Sequence, residues 1–140
     1  MDLQQLYTDL ILEYNRYKTN KRKVEAPTVH ELGHNPSCGD DIFLKLKTEG
    51  DVIADGAFVG DGCAISQASA DIMLGMVIGQ PKEKALQMAD TFMRMIKGEA
   101  SEAEIDSLEE ASALRDISHM PARVKCAVLG WRTLKEAVGK

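Results

Sequence analysis

Three cysteines stand in this chain, each in a context that a buried thiol would not require: Asn35-Pro36-Ser37-Cys38-Gly39-Asp40, Gly60-Asp61-Gly62-Cys63-Ala64-Ile65-Ser66 and Arg123-Val124-Lys125-Cys126-Ala127. Thiolates are the softest common protein ligands, and three of them leave a tetrahedral cation such as Zn²⁺ one position short of closure. Asp40 can supply it. Side chains two apart on an extended segment share a face, so Cys38 and Asp40 can approach one ion together, and Gly39 lets the backbone fold closely around it. The expected site is therefore Cys38, Asp40, Cys63 and Cys126 around Zn²⁺. Four anionic ligands outweigh a divalent cation, so a neighbouring positive charge is expected, from Arg123 or Lys125. Arg123 is the better anion clamp, because its planar guanidinium also makes fixed hydrogen bonds. Taken singly, each cysteine also fits a small buried apolar residue, Cys126 most of all; jointly, the three contexts favour a site.

A second motif competes. His30-Glu31-Leu32-Gly33-His34 matches the HExxH pattern in which two histidines one helical turn apart bind zinc and the glutamate activates water. That chemistry needs a helix through the motif. Here Pro27 precedes it, Gly33 lies inside it and Pro36 follows, which disfavours helical geometry at Asn35. The metalloprotease reading is set aside, and His30 and His34 are expected to be polar residues beside the cysteine site.

The elements that must position these residues follow from periodicity. Leu3, Leu6, Tyr7, Leu10, Ile11 and Tyr14 recur at helical spacing, which predicts an opening amphipathic helix. From Lys18 to Pro36 periodicity fades and charge rises, reading as a surface loop with a short extended piece near Val29. Ile42, Leu44 and Leu46 then alternate with Phe43, Lys45 and Lys47, Glu49-Gly50-Asp51 forms a turn, and Val52 to Val59 returns as a strand. Cys38 and Cys63 thus flank a hairpin. Ser66 is placed to cap a buried helix through Ile72, Met73, Leu74, Met76 and Val77. A further helix starts at Pro81, with Ala85, Met88, Ala89, Phe92, Met93 and Ile96 on one stripe, and stops at Gly98. Ser101 to Glu104 spells a capping box for a short acidic helix. The last helix starts at Pro121, with Val124, Val128, Trp131, Leu134 and Val138 toward the core. The fold class is α+β: a small antiparallel sheet of about three strands packed against several helices. Cys63 just before one helix and Cys126 in the early turns of another sit where the helix dipole favours thiolate.

Composition bounds the function. With 140 residues, one domain spanning 1–140 is expected, and 44% apolar with 28% charged residues excludes wholesale disorder. A net charge of -5 argues against a general nucleic-acid binder, because neutralising phosphates wants a basic surface. No apolar run reaches membrane-spanning length. An odd number of cysteines and an N-terminus without a signal-peptide pattern point to the cytoplasm.

The three cysteine contexts, in order and ending in Trp131, resemble the SufU family of U-type iron–sulfur assembly proteins, over nearly the full chain. The markers are Asn35 to Asp40, Gly62 to Ser66 with the small-residue helix after it, and Pro121-Ala122-Arg123-Val124-Lys125-Cys126-Ala127. The related IscU scaffolds carry a His before the third cysteine, where this chain has Lys125. They also have a Leu-Pro-Pro-Val-Lys signal that is absent here, and a shorter stretch between the second and third cysteines. The acidic segment from Gly98 to Met120 is SufU-like. After the first helix the family often carries a His and an Asn-Pro-Arg-Asn stretch, where this chain reads Tyr14-Asn15-Arg16-Tyr17-Lys18-Thr19-Asn20.

The resemblance implies the SufE/NifU (IscU-like) fold and a zinc-dependent sulfurtransferase that accepts persulfide sulfur from a SufS-type cysteine desulfurase and delivers it to downstream iron–sulfur assembly proteins. It makes Cys38 the sulfur acceptor. Its alternative is an IscU-like scaffold holding a transient iron–sulfur cluster; a structural zinc module that only docks partners is a third possibility.

Overall fold

The computed structural model describes residues 27–35, 40–60 and 63–139. The opening helix expected near Leu3 to Tyr14 and the first cysteine, Cys38, lie outside the described residues. Strands β1 (Val29–Asn35), β2 (Asp40–Glu49) and β3 (Val52–Val59) form an antiparallel sheet in the order β1-β2-β3. The β2–β3 hairpin is the one that alternation predicted. Its turn runs through Gly50, whose φ of 62° is the left-handed geometry that glycine adopts at no steric cost. Ile42, Leu44 and Leu46 are fully buried on the inner face. A register shift between Lys47 and Thr48 leaves Ala54 of β3 as an extra residue.

The segment 29–35, expected as loop with a short extended piece, is a full edge strand paired from Val29↔Leu46 to Asn35↔Asp40. Its charge hid it. His30, Leu32 and His34 point to the exposed face, while Glu31 and the buried Gly33 take the inward positions where large apolar residues usually advertise a strand. On the outer face Leu32 and Val59 are exposed and flank Phe43 in register.

The inner face is covered by α1 (Ala64–Val77) and α4 (Pro121–Val138), and α2 (Lys82–Ile96), the short α3 (Glu102–Asp106) and a 3₁₀ helix (Glu109–His119) pack around these two. The helix α1 is buried almost all round, as its composition predicted. The helix α2 buries Ala85, Ala89, Phe92, Met95 and Ile96, and the turn after it passes through Gly98 at φ 76°. Met88 and Met93, expected on its core stripe, are half-buried against the core. The capping box of α3 forms with both reciprocal bonds, from Glu104 N–H to Ser101 Oγ and from Ser101 N–H to Glu104 Oε1.

The 3₁₀ helix has no counterpart in the sequence reading. Its buried residues Ala111, Leu114 and Ile117 recur every three positions, the period of a 3₁₀ helix rather than an α-helix. Pro121 opens α4 as its first residue. Fully buried Trp131 stacks on Phe92, with ring centroids 4.5 Å apart and an interplanar angle of 10°, joining α4 to α2. Among the described residues, no helix is long and apolar enough to cross a membrane.

Candidate metal centre

Three elements converge at one end of the sheet. Asp40 opens β2 and is 5% exposed, Cys63 is the N-cap of α1 and half-buried, and Cys126 lies on the buried side of α4 at 1% exposure. Their ligand atoms all lie within 4.8 Å of one another, the one such group of histidine, cysteine and acidic side chains among the described residues.

Two close approaches produce this convergence. Gly60, after β3, holds φ 147°, and a Cβ there would sit 2.1 Å from the Asp41 carbonyl oxygen. Only glycine lets the chain leave β3 that close to β2, and this brings Cys63 beside Asp40. Gly130 packs closely on Ala70: a Cβ there would lie 3.1 Å from the Ala70 Cβ, so a side chain would push the two helices apart by a few tenths of an ångström. Beside it, Ser69 Oγ donates to the Ala127 carbonyl at 2.6 Å and accepts from Trp131 Nε1 at 3.1 Å. These contacts seat α4 against α1 within about one turn of Cys126.

Hydrogen bonds then fix the ligand groups. The Cys63 N–H donates to Asp40 Oδ1 at 3.1 Å, and the Ser66 hydroxyl donates to Asp40 Oδ2. Cys63 Sγ accepts the Ser66 N–H at 3.5 Å, which makes the thiol the helix cap. Ser66, expected as the cap, is instead the third residue of the helix: Cys63 has the extended backbone of an N-cap, with φ -70° and ψ 166°, and leaves the Ser66 hydroxyl free for the carboxylate.

The donor set fits a soft tetrahedral ion. Zinc bound to sulfur and carboxylate holds neighbouring donors roughly 3.5–3.8 Å apart, so these three groups close on one ion with shifts of about an ångström. Two sulfurs exclude calcium and magnesium, which take oxygen ligands.

Arg123 and Lys125 are exposed on the first turns of α4. The HExxH segment lies on β1, not a helix, so its histidines cannot share an ion in the protease manner. His34 Nδ1 lies 2.5 Å from Asp41 Oδ1, next to the cluster but on the opposite face of the sheet from Asp40. His30 lies further down the strand with its ring against Phe43.

The NifU-like N-terminal domain matches residues 6–119. The chain belongs to that family. It is 41% identical over 140 residues to the "iron-sulfur cluster assembly scaffold protein IscU" of Thermotoga maritima, covering all of this chain and 97% of that protein. It is 38% identical over 139 residues to the "zinc-dependent sulfurtransferase SufU" of Bacillus subtilis, covering 99% of this chain and 93% of that protein. Among solved structures, FiSufU of Fervidobacterium islandicum, described as an iron–sulfur cluster assembly scaffold for the SUF system, superposes with a TM-score of 0.85 at 37% identity. That match covers 96% of this chain and 97% of the other. The α+β class and the three-stranded antiparallel sheet read from the sequence are those of the NifU-like family.

Proposed function

We propose that this chain serves iron–sulfur cluster assembly as a zinc-dependent sulfur-transfer protein, with Cys38, Asp40, Cys63 and Cys126 as the zinc ligands. The observation that carries the reading is the convergence of Asp40, Cys63 and Cys126 from three distant stretches of sequence. The full-length likeness to a B. subtilis protein named for zinc-dependent sulfur transfer supports it. Bound zinc keeps cysteine ligands deprotonated near neutral pH.

The chain's own residues divide the work. Cys63 and Cys126 are tied to helices and remain as anchors, and Asp40 is fixed by two hydrogen bonds. Cys38 falls between β1 and β2 in the sequence, and the family resemblance makes it the sulfur acceptor, so its thiolate is the one proposed to react. It attacks the outer sulfur of a persulfide on a cysteine desulfurase of the SufS type. The donor's S–S bond breaks as a new one forms on Cys38, the donor cysteine departs as a thiolate, and no outside oxidant or reductant is consumed. Arg123, one turn before Cys126, is proposed to steady the anionic sulfur during this exchange.

The test is desulfurase turnover with cysteine as substrate. The native protein is expected to stimulate it, and Cys38→Ala is expected to abolish stimulation while the chain stays folded and retains zinc through three ligands. Full stimulation by Cys38→Ala would sink the reading. The scaffold alternative is favoured by the T. maritima relative named for that role. It predicts visible sulfide-to-iron absorption after anaerobic incubation with iron and sulfide, which the zinc reading does not.

A further inference from the structure

Ser66 is fully buried, and its contacts join two of the proposed ligands. Its hydroxyl donates to Asp40 Oδ2, its oxygen lies 3.4 Å from Cys63 Sγ, and its backbone N–H points to the same sulfur. The Cys63 N–H holds the other carboxylate oxygen, Oδ1. A carboxylate turns about its Cβ–Cγ bond, and one donor on each oxygen stops that turning. Both donors come from residues 63–66, so the segment that supplies the Cys63 ligand also sets the plane of the Asp40 ligand. A serine hydroxyl has a single proton, and here it is directed at Asp40.

We infer that Ser66 is a positioning residue of the metal centre: it acts through Asp40, fixing the carboxylate so that one oxygen lone pair is aimed at the ion. The inference rests on the zinc reading above. Orienting partners of metal ligands are typically worth about 10–100-fold in metal affinity.

The test is a competition titration of zinc against a chromophoric chelator for the native chain, Ser66→Ala, Asp40→Ala and the double variant. Ser66→Ala is expected to weaken zinc by about 10–100-fold. In the Asp40→Ala background the same change should alter affinity by less than about threefold, because the group through which Ser66 acts is gone. Equal losses in both backgrounds would show a merely structural serine and overturn the inference. So would unchanged affinity in Ser66→Ala. The cobalt-loaded Ser66→Ala protein should also show shifted d–d absorption bands, the signature of an altered oxygen ligand, and identical spectra would count against the role. A native chain that takes up no zinc defeats the metal reading itself, a result distinct from native zinc binding with a silent Ser66. Should Ser66→Ala fail to fold, the native protein loaded with cadmium gives an independent reading. A slowly exchanging Ser66 hydroxyl proton is expected by NMR, and exchange at the rate of an exposed serine would overturn the proposal.

Discussion

Replacing Ser69 by Ala tests how the helices that carry Cys63 and Cys126 are locked together. Ser69 Oγ accepts from Trp131 Nε1 at 3.1 Å and donates to the Ala127 carbonyl at 2.6 Å, with both Ser69 and Trp131 fully buried. The substitution leaves the indole N–H without an acceptor, at a cost of about 1–3 kcal/mol. The Ala127 carbonyl keeps its bond within α4, so the second loss adds little. Alanine is the better helix former by about 0.5 kcal/mol, which leaves a net destabilisation of about 1–2 kcal/mol. In a Trp131→Phe background the N–H is absent, and adding Ser69→Ala should be nearly neutral. The assay is urea unfolding of all four proteins with zinc present, followed by far-UV circular dichroism, because Trp131 is the single tryptophan and is lost in two of them. Equal costs for Ser69→Ala in both backgrounds would refute the reasoning, since the hydrogen bond would then not be what couples the helices.

Other perturbations read other parts of the structure. Gly60→Ala forces a side chain into φ 147° with its Cβ 2.1 Å from the Asp41 carbonyl, and should cost about 2 kcal/mol or more; an unchanged melting temperature would contradict it. Ser101→Ala removes the cap of α3 and should cost about 1 kcal/mol in chemical unfolding, against no change if the box is idle. Glu104 is held at about 2, below its ordinary 4.5, by its hydrogen bond to Arg94 first and by the Ser101 backbone second. A lowered carboxyl stabilises the folded state above its unfolded value, so this contribution fades as pH falls from 4.5 toward 2. Melting temperature should therefore fall more steeply across that window in the native chain than in Glu104→Gln, and identical slopes would count against the pairing.

Much of this arrangement was legible in the sequence wherever one physical rule acted alone. Alternation at Ile42, Leu44 and Leu46 marked β2, because one face is buried and the other wet. Pro81, Ser101 and Pro121 marked helix starts by their fixed φ or their capping oxygen. Asp40, Cys63 and Cys126 stood out by chemical type, although only the fold brings residues so far apart in sequence to one place. The misses have equally specific causes. Strand β1 escaped because α4 packs on it so tightly that its inward Gly33 has no room for a side chain: a Cβ there would overlap Thr133 Oγ1. The 3₁₀ helix was visible as Leu108, Ala111, Leu114, Ile117 and Met120 at a strict spacing of three, a period between the templates for strand and α-helix. Ser66 was read as a cap since serine usually is one; a cysteine three residues earlier took that place and released the hydroxyl to Asp40.

In the proposed transfer Cys38 carries the sulfur while Cys63 and Cys126 stay as anchors. Peptide-mapped mass spectrometry of the native protein, after incubation with a SufS-type desulfurase and cysteine, tests it most directly. One added sulfur atom is expected on the peptide containing Cys38 and none elsewhere, removed by a thiol reductant as a persulfide is. Sulfur found only on Cys63 or Cys126, or on none of the three, would contradict it.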